Sequence, residues 1–369
     1  MASSREFGQA GCARRRQEFL LAKNVCLVAN KNFELGARAL CGGGQIRIEA
    51  AEKTNSARTL GTLTMGLLDA CGLGGAPLSA EAAGASLSHV SSWGVAGEAD
   101  GQLQFPAQAV EVNDLTLVAC AGHAGAAVQA FRPDRSLSHK LGQKADAEIA
   151  FAYGLAADGA LVAVADFGLH RVQVFRDGGL LCTLACDGLV NPQAVALAGG
   201  LAFVAGGQRI FAFELATQKV AASWGGAGGA DGRFAHGIRG LAVHESRDEV
   251  YATDCENHRV QVFTKAGRHL RTLGGGAGAA LGAALSLLCA PPRAVFDRPW
   301  GVAVRGELLY VAEHGAGRVQ VLTLDGRPLR SLTPKGCGGL AGLAFAGESG
   351  ELLLATDFGK GRVHVLSTE

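Results

Sequence analysis

The chain of 369 residues is 48% hydrophobic and carries 34 basic against 33 acidic side chains, which gives a net charge of +1. This hydrophobic content is enough for a packed core and excludes disorder along the whole length. With 54 glycines, nine prolines and only 18% charged residues, the composition favours many short strands joined by tight turns and excludes a collagen-like chain.

Residues 1–85 form an N-terminal extension whose fold the sequence does not define, because they lack the repeated pattern that follows. The apolar stretches at 25–29 and 44–52 predict strands, and the stretch at 62–73 predicts a short helix. Met65, the only methionine after Met1, lies just ahead of the repeats. A processed leader, or an upstream stretch that is not an authentic part of the protein, is therefore the interpretation of this segment.

The N-terminal composition and the apolar stretches bear on the compartment. The first seventeen residues contain four arginines and one acid, a composition that a solvated basic tail and an organelle transit peptide share. No stretch reaches the roughly 18 apolar residues of a membrane-spanning helix. We expect a soluble cytoplasmic protein with no membrane partner, with import into an organelle as the alternative. The ten cysteines include no CxxC pair and are expected to be reduced and mostly buried.

From residue 86 onwards the chain repeats one pattern of apolar strands. Successive copies are separated by 44, 38, 50, 59 and 44 residues. A period in the forties with β-branched alternation indicates propeller blades of four antiparallel strands. The copies align on the residue that opens an RVQV-type strand: Ala127, Arg171, Arg209, Arg259, Arg318 and Arg362.

Each copy begins with a strand of small and branched residues, which we predict to be the innermost strand of its blade. Glycine and alanine suit this position because the innermost strands pack around a narrow axis. These strands are predicted at 108–112, 154–157, 193–197, 240–243, 301–304 and 341–345.

The last copy, 339–369, lacks the outer strand that the other copies have. Residues 88–106 match residues 219–237 in register, and the motif SWG stands at 92–94 and again at 223–225. The early segment is therefore expected to supply the missing strand, which removes unpaired sheet edges. The sequence predicts an all-β, six-bladed β-propeller of four-stranded antiparallel blades over 86–369, with the ring closed by an N-terminal strand that completes the last blade.

The residues Asn257-His258-Arg259-Val260-Gln261-Val262-Phe263 carry a resemblance to a known family. This segment resembles the core of the NHL repeat, and the copy at 234–274 is the best match. The resemblance covers about three quarters of the chain and implies a propeller that binds proteins or RNA. The copies at 118–131 and 204–211 depart from the pattern, because the first has Ala127 in place of arginine and the second lacks the acid.

In four copies an acid precedes the aligned arginine by five positions, so that the two bracket one β-turn. Such groups are expected to meet as a charge-assisted pair that stabilises the middle hairpin of the blade. Repetition in several blades favours this architectural role over a single site. The predicted pairs are Asp166 with Arg171, Asp254 with Arg259, Glu313 with Arg318, and Asp357 with Arg362.

The turns of these hairpins and the starts of the innermost strands are expected on one face of the ring. Aromatic and basic side chains gather there, as they do at protein interfaces. The favoured function is a non-catalytic scaffold that binds a protein partner on this face without a cofactor. An insertion at 274–297, with a short apolar helix, is a candidate lid over it. The binding residues predicted are Tyr153, Phe167, His236, Arg239, Arg298, Trp300, His314, Phe358 and Lys360.

Two alternatives remain open from the sequence. Three histidines, His170, His258 and His314, are weak candidates for a metal of the kind held by the amidating lyase, whose propeller is similar to this family. By their location, Tyr153, Arg239 and Arg298 are then candidates for the tyrosine and arginine that a lyase needs at the pore, and a lactone-type hydrolase is the related alternative. Single-stranded RNA is the other alternative, although residues 86–369 carry 24 basic against 26 acidic side chains, which does not favour it.

Overall fold

The computed structural model describes residues 38–42, 45–51, 60–66, 84–122, 128–143, 147–275, 294–347 and 349–369. The chain divides into two compact units, one of Met1–Pro77 with Ala277–Arg293 and one of Leu78–Gly276 with Ala294–Glu369. The first unit contains a three-stranded antiparallel sheet of β1 (Arg38–Gly42), β2 (Gln45–Ala51) and β3 (Leu60–Gly66).

The predicted elements of this first unit have three different outcomes. The strand predicted at 44–52 is confirmed by β2. The helix predicted at 62–73 is wrong, because β3 pairs with β2 from residue 60 to residue 66. The segment LGTLTMG places Thr62 and Thr64 two residues apart, and such β-branched alternation suits a strand. The strand predicted at 25–29 lies outside the described residues, as does most of the insertion at 274–297.

The second unit consists of six four-stranded antiparallel sheets, which confirms the all-β, six-bladed propeller. Blades 1 to 3 follow one another along the chain, with the innermost strand first in each. Their strands are β5 (Pro106–Val112), β6 (Leu115–Cys120), β7 (Val128–Phe131) and β8 (Leu137–Leu141); β9 (Ala152–Asp158), β10 (Leu161–Asp166), β11 (Arg171–Arg176) and β12 (Gly179–Leu184); and β13 (Pro192–Ala198), β14 (Leu201–Gly206), β15 (Arg209–Glu214) and β16 (Val220–Gly225).

Blades 4 to 6 continue the series, and two short 3-10 helices, Glu245–Arg247 and Cys255–Asn257, lie in turns of blade 4. The sixth blade takes its outer strand from the early segment β4 (Ser88–Trp93). The strands are β17 (Ile238–His244), β18 (Glu249–Asp254), β19 (Arg259–Thr264) and β20 (His269–Gly274); β21 (Pro299–Arg305), β22 (Leu308–Glu313), β23 (Arg318–Thr323) and β24 (Pro328–Leu332); and β25 (Leu340–Ala346), β26 (Leu352–Asp357), β27 (Arg362–Ser367) and β4.

In blade 6 the early strand β4 pairs antiparallel with β27, so that Trp93 lies opposite Val363 and Ser88 opposite Ser367. Blade 6 also contacts blade 1 directly, because the Gln108 side chain donates to the carbonyl oxygen of Leu343 at 2.9 Å. The two ends of the propeller segment therefore meet in one sheet.

The two copies that depart from the repeat pattern still fold as blades. In blade 3, Gly206 replaces the acid and pairs with Arg209 across a tighter turn. In blade 1, β6 pairs with β7, so that Thr116 lies opposite Phe131 and Val118 opposite Gln129. Ala127 lies outside the described residues.

The innermost strands approach one another so closely that their backbones touch. A Cβ atom added to Gly301 would lie 2.3 Å from the carbonyl oxygen of Ala341, and one added to Gly240 would lie 2.2 Å from that of Trp300. Side chains at these positions would collide with the neighbouring blade. The glycines of the repeat therefore set the narrow bore of the ring.

The core of the described propeller residues is a set of six apolar clusters, each filled from neighbouring blades. Tyr310 of blade 5, for example, meets Phe345 of blade 6 edge to face, with ring centroids 5.2 Å apart. Both faces of the second strands β10, β18 and β22 are buried between blades. This explains why these strands are apolar almost throughout rather than alternating.

Candidate functional site

The second residues of the six innermost strands line one end of the central channel. These strands share one register, since each has seven residues and begins at the same place in its blade. Adjacent blades therefore present equivalent side chains around the axis. The ring of second residues is Ala107, Tyr153, Gln193, Arg239, Trp300 and Ala341.

Arg239 contacts the two aromatic members of this ring, Tyr153 and Trp300. Its Nη1 donates a hydrogen bond to Tyr153 Oη at 2.9 Å. Its guanidinium carbon lies 4.9 Å from the ring centroid of Trp300 and 5.5 Å from that of Tyr153. A half-buried cation is thus held between two aromatic faces, an arrangement stabilised by the ring quadrupoles.

Phe358, in the middle-hairpin turn of blade 6, extends this aromatic group. Its ring lies 5.3 Å from that of Trp300, 6.5 Å from that of Tyr153 and 5.1 Å from that of Phe105. His314 stacks on Trp300 with ring centroids 4.0 Å apart and an interplanar angle of 11°. We call Phe105, Tyr153, Arg239, Trp300, His314 and Phe358 the rim cluster.

The charge of the rim cluster comes from arginine rather than histidine. Burial, together with the positive charges of Arg298 and Arg239, lowers the pKa of His314 below its usual range. His314 is therefore neutral near pH 7. The indole N–H of Trp300 donates to Cys255 Sγ at 3.1 Å, which fixes the orientation of the ring.

The structure brings six of the nine predicted binding residues into contact with one another. Five belong to the rim cluster, and Phe167 lies beside Tyr153 with ring centroids 5.8 Å apart. The other three, His236, Arg298 and Lys360, are exposed on the same turns and strand starts. After burial, the positive charge of Arg298 is a further cause of the lowered pKa of His314.

Phe105 is the rim residue that sequence reasoning missed. It precedes Pro106, the first residue of β5, and has a φ of 51°, a rare conformation for a bulky side chain. Arg298 precedes Pro299 with a φ of 50°. The usable signal was the position of Phe105 directly before Pro106, the first residue of an innermost strand.

Comparison with known proteins agrees with this architecture. Residues 236–263 match the NHL repeat. The matched residues lie on β17 to β19 of blade 4 in this six-bladed β-propeller. Comparison with curated proteins finds no match.

Among solved structures, this propeller is similar to Kuenenia stuttgartiensis hydrazine synthase, with a TM-score of 0.50 and 13% identity over 74% of this chain and 99% of that one. It is also similar to the WD40 propeller domain of Doa1, with a TM-score of 0.50 and 7% identity over 77% of this chain and 97% of that one. At such identities these similarities concern the fold alone. In the part of the chain that the structure describes, no helix has the length and apolar character needed to cross a membrane.

Two of the four predicted acid–arginine pairs are present in the structure. Asp254 Oδ2 lies 2.8 Å from Arg259 Nε, and Glu313 forms an ion pair with Arg318. In both blades the two residues face each other at the end of the hairpin. These buried carboxylates are neutralised by the guanidinium of the same blade.

The other two predicted pairs take different partners. Asp166 accepts four backbone N–H groups, which satisfy its carboxylate. Arg171 instead donates to the carbonyl oxygen of Glu148 at 2.7 Å. Asp357 is fully buried, whereas the side chain of Arg362 is exposed. The five-residue spacing alone therefore does not decide whether a pair forms.

The three histidines considered as metal ligands lie in blades 2, 4 and 5 and have other partners. His170 Nδ1 accepts the backbone N–H of Asn191 at 3.0 Å, and His258 Nδ1 accepts that of Arg298 at 3.2 Å. Each links the turn of one blade to the innermost strand of the next. His314 Nδ1 lies 3.3 Å from a backbone carbonyl oxygen. The structure does not bring these three together.

A different group of metal-ligand side chains does converge among the described residues. One donor atom each of Cys337, Asp357 and His364 lies within 4.8 Å of the others. Burial, and then the charge of Asp357, raise the pKa of Cys337 to about 11. Burial alone would raise the pKa of Asp357, but His364 and backbone N–H groups lower it overall. Sequence reasoning missed this group because it treated Asp357 as the partner of Arg362 and took Cys337 and His364 as ordinary repeat positions.

Proposed function

We propose that the propeller is a non-catalytic scaffold that binds a protein partner through the rim cluster. The observation that carries this proposal is Arg239, held between Tyr153 and Trp300 at the mouth of the channel. Arginine, tyrosine and tryptophan are the residues that contribute most to binding free energy at protein interfaces.

The rigidity of the site supports binding with little loss of conformational entropy. Tyr153, Arg239 and Trp300 stand on innermost strands whose backbones are in contact across the blades. Side chains fixed in advance lose less freedom when a partner docks. His314 and Phe358 hold the Trp300 ring from two sides.

The charge of the rim cluster favours an acidic segment of the partner. In its described contacts Arg239 uses one of five N–H donors, on Tyr153. Arg298 adds a second positive charge close enough to lower the pKa of His314. A carboxylate flanked by apolar or aromatic side chains would match an arginine surrounded by aromatic rings.

The test is a selection of binders from a displayed random-peptide library on the full chain. We expect peptides with acidic and aromatic residues whose Kd rises at least about tenfold on Arg239→Ala or Trp300→Ala, since hot-spot residues contribute 2 kcal/mol or more. Arg176→Ala is the matched control, because this exposed arginine lies at the far end of β11 from the hairpin turn. Circular dichroism verifies that each variant is folded.

Three results would contradict the proposal. Peptides that bind all variants equally would move the site away from the rim cluster. Binding of oligouridine that depends on Arg239 and Trp300, without any peptide binding, would support the RNA alternative. Hydrolysis or lyase turnover that both substitutions abolish would support the enzyme.

A further inference from the structure

Blade 6 departs chemically from the blades that share its buried acid. In blades 2, 4 and 5 the seventh residue after the acid is glutamine: Gln173, Gln261 and Gln320. In blade 4 this glutamine donates to Asp254 Oδ2 at 3.3 Å. Blade 6 has His364 at the same position, fully buried.

A second replacement occurs in the same blade. The residue three positions before the innermost strand is a buried apolar side chain in four blades: Leu103, Ile149, Leu189 and Phe296. Blade 6 has Cys337 there, half-buried. Both unusual side chains of blade 6 face the same carboxylate, that of Asp357.

The arginine that would neutralise this carboxylate does not do so. Arg259 pairs with Asp254 in blade 4 at 2.8 Å, whereas the equivalent Arg362 is exposed. His364 Nε2 lies 3.4 Å from Asp357 Oδ2 instead. Asp357 accepts the backbone N–H groups of Gly338 at 2.7 Å and of Lys360 at 3.1 Å. A bound cation would add the positive charge that the guanidinium supplies in blade 4.

The histidine is oriented as metal-ligating histidines are. His364 Nδ1 lies 2.7 Å from Ser92 Oγ, and Ser92 Oγ lies 2.8 Å from His89 Nε2. A proton on Nδ1 that is donated to the hydroxyl leaves the lone pair of Nε2 directed at Asp357 and Cys337. Metal-ligating histidines almost always fix their second nitrogen in this way.

We propose that Cys337, Asp357 and His364 form a binding site for a divalent cation, with Zn²⁺ as the best match. Sulfur, imidazole and carboxylate together select a borderline-soft metal over Mg²⁺ or Ca²⁺. Tetrahedral bonds of about 2.0–2.3 Å place donor atoms roughly 3.3–3.8 Å apart, so small rotations of the side chains close the observed group around the ion. Three protein ligands leave a fourth position for water.

The test uses Zn²⁺ and Co²⁺ on the full chain. After chelator treatment and dialysis against limiting Zn²⁺, we expect one more equivalent of metal in the wild type than in Cys337→Ser or His364→Gln. Co²⁺ is expected to give a thiolate-to-cobalt charge-transfer absorption that both substitutions remove. His364→Gln restores the residue found in three other blades, so the fold should survive. Ser92→Ala is expected to weaken binding about 10- to 100-fold.

Control variants separate this site from the other cysteines. Cys186→Ser removes a half-buried thiol that is not part of the group, and should leave the stoichiometry unchanged. Gln261→His places a histidine beside Asp254 in a blade that has Ala235 at the position of Cys337 and whose Cys255 thiol accepts from Trp300, and should add no metal. Equal metal content in wild type and Cys337→Ser, or a Co²⁺ spectrum without the thiolate band, would overturn the proposal and leave a hydrogen-bonded triad without metal. Neither outcome bears on peptide binding at the rim cluster.

Discussion

Asp254 and Asp357 occupy the same position in blades 4 and 6, and both carboxylates are buried. They differ in what compensates their charge. Asp254 meets Arg259, which is also buried, and the amide of Asn257 at 2.8 Å. Asp357 instead accepts the backbone N–H groups of Gly338 and Lys360 and has His364 Nε2 3.4 Å away. The same acid at the same place in two repeats is thus stabilised by different chemistry.

This difference predicts unequal effects of one substitution in two blades. Arg259→Ala is expected to lower the free energy of unfolding by about 3 kcal/mol, because it leaves a buried carboxylate without its charge partner. Arg362→Ala is expected to change it by less than about 0.5 kcal/mol, because that side chain is exposed. Urea denaturation measures both. Equal losses of unfolding free energy would show that Arg259 and Arg362 stabilise their blades to the same extent.

At the residue scale the sequence predicts positions better than partners. The spacing of acid and arginine places Asp166 correctly at the end of its hairpin opposite Arg171. It does not reveal that loop N–H groups from residues 150 and 151 reach the carboxylate first. Such backbone donors depend on the path of the preceding loop, which a repeat alignment does not determine.

At the scale of the strand, the innermost strand of each blade has the strictest limit on side-chain size. Glycine at the third residue of β21 is fixed by contact with β25 rather than by its own conformation, because Gly301 does not have a positive φ. The small residues in the repeat were sufficient to predict these strands. The helix predicted at 62–73 was wrong because short apolar runs do not distinguish a strand from a helix by period alone.

The close contact of the innermost strands is open to a direct test. Gly301→Ala is expected to lower the free energy of unfolding by about 1–3 kcal/mol, because its Cβ would overlap the carbonyl of Ala341 and force the blades apart. Gly179→Ala, at the start of the outer strand β12, is the matched control, since its Cβ would lie 3.5 Å from the nearest atom, the carbonyl oxygen of Arg176. Thermal unfolding followed by circular dichroism measures both. A neutral Gly301→Ala would show that the bore tolerates wider spacing.

The rim cluster shows how far element positions predict a site. Alignment of the repeats places Tyr153, Arg239 and Trp300 at one level of the ring. It could not predict that Phe358 reaches across to Tyr153, 6.5 Å between ring centroids, because that contact joins blades 6 and 2. Contacts across the axis depend on the diameter of the ring, which the glycines set.

For the whole molecule, the pairing of β4 with β27 makes the propeller segment a closed ring. Each of the other blades is formed by consecutive strands, whereas blade 6 joins strands that are more than 250 residues apart in sequence. Late loop closure of this kind costs chain entropy. The SWG motif at 92–94 matches the SWG motif at 223–225, which ends the outer strand of blade 3. This match indicates from the sequence that the early segment is also an outer strand.

A covalent link across this sheet should stabilise the whole ring. Ser88 lies opposite Ser367, and facing residues of antiparallel strands are about 4.5–5.5 Å apart at Cα, which suits a disulfide. The double variant Ser88→Cys with Ser367→Cys is therefore expected to oxidise readily and to raise the free energy of unfolding by about 2–4 kcal/mol. Val90→Cys with Ser367→Cys is the control, because Val90 is exposed and two residues out of register. Peptide mapping identifies the bond, and urea denaturation with and without reductant measures the gain. Oxidation of both variants at the same rate, without a gain for the in-register pair, would show that the ring is not closed by these strands.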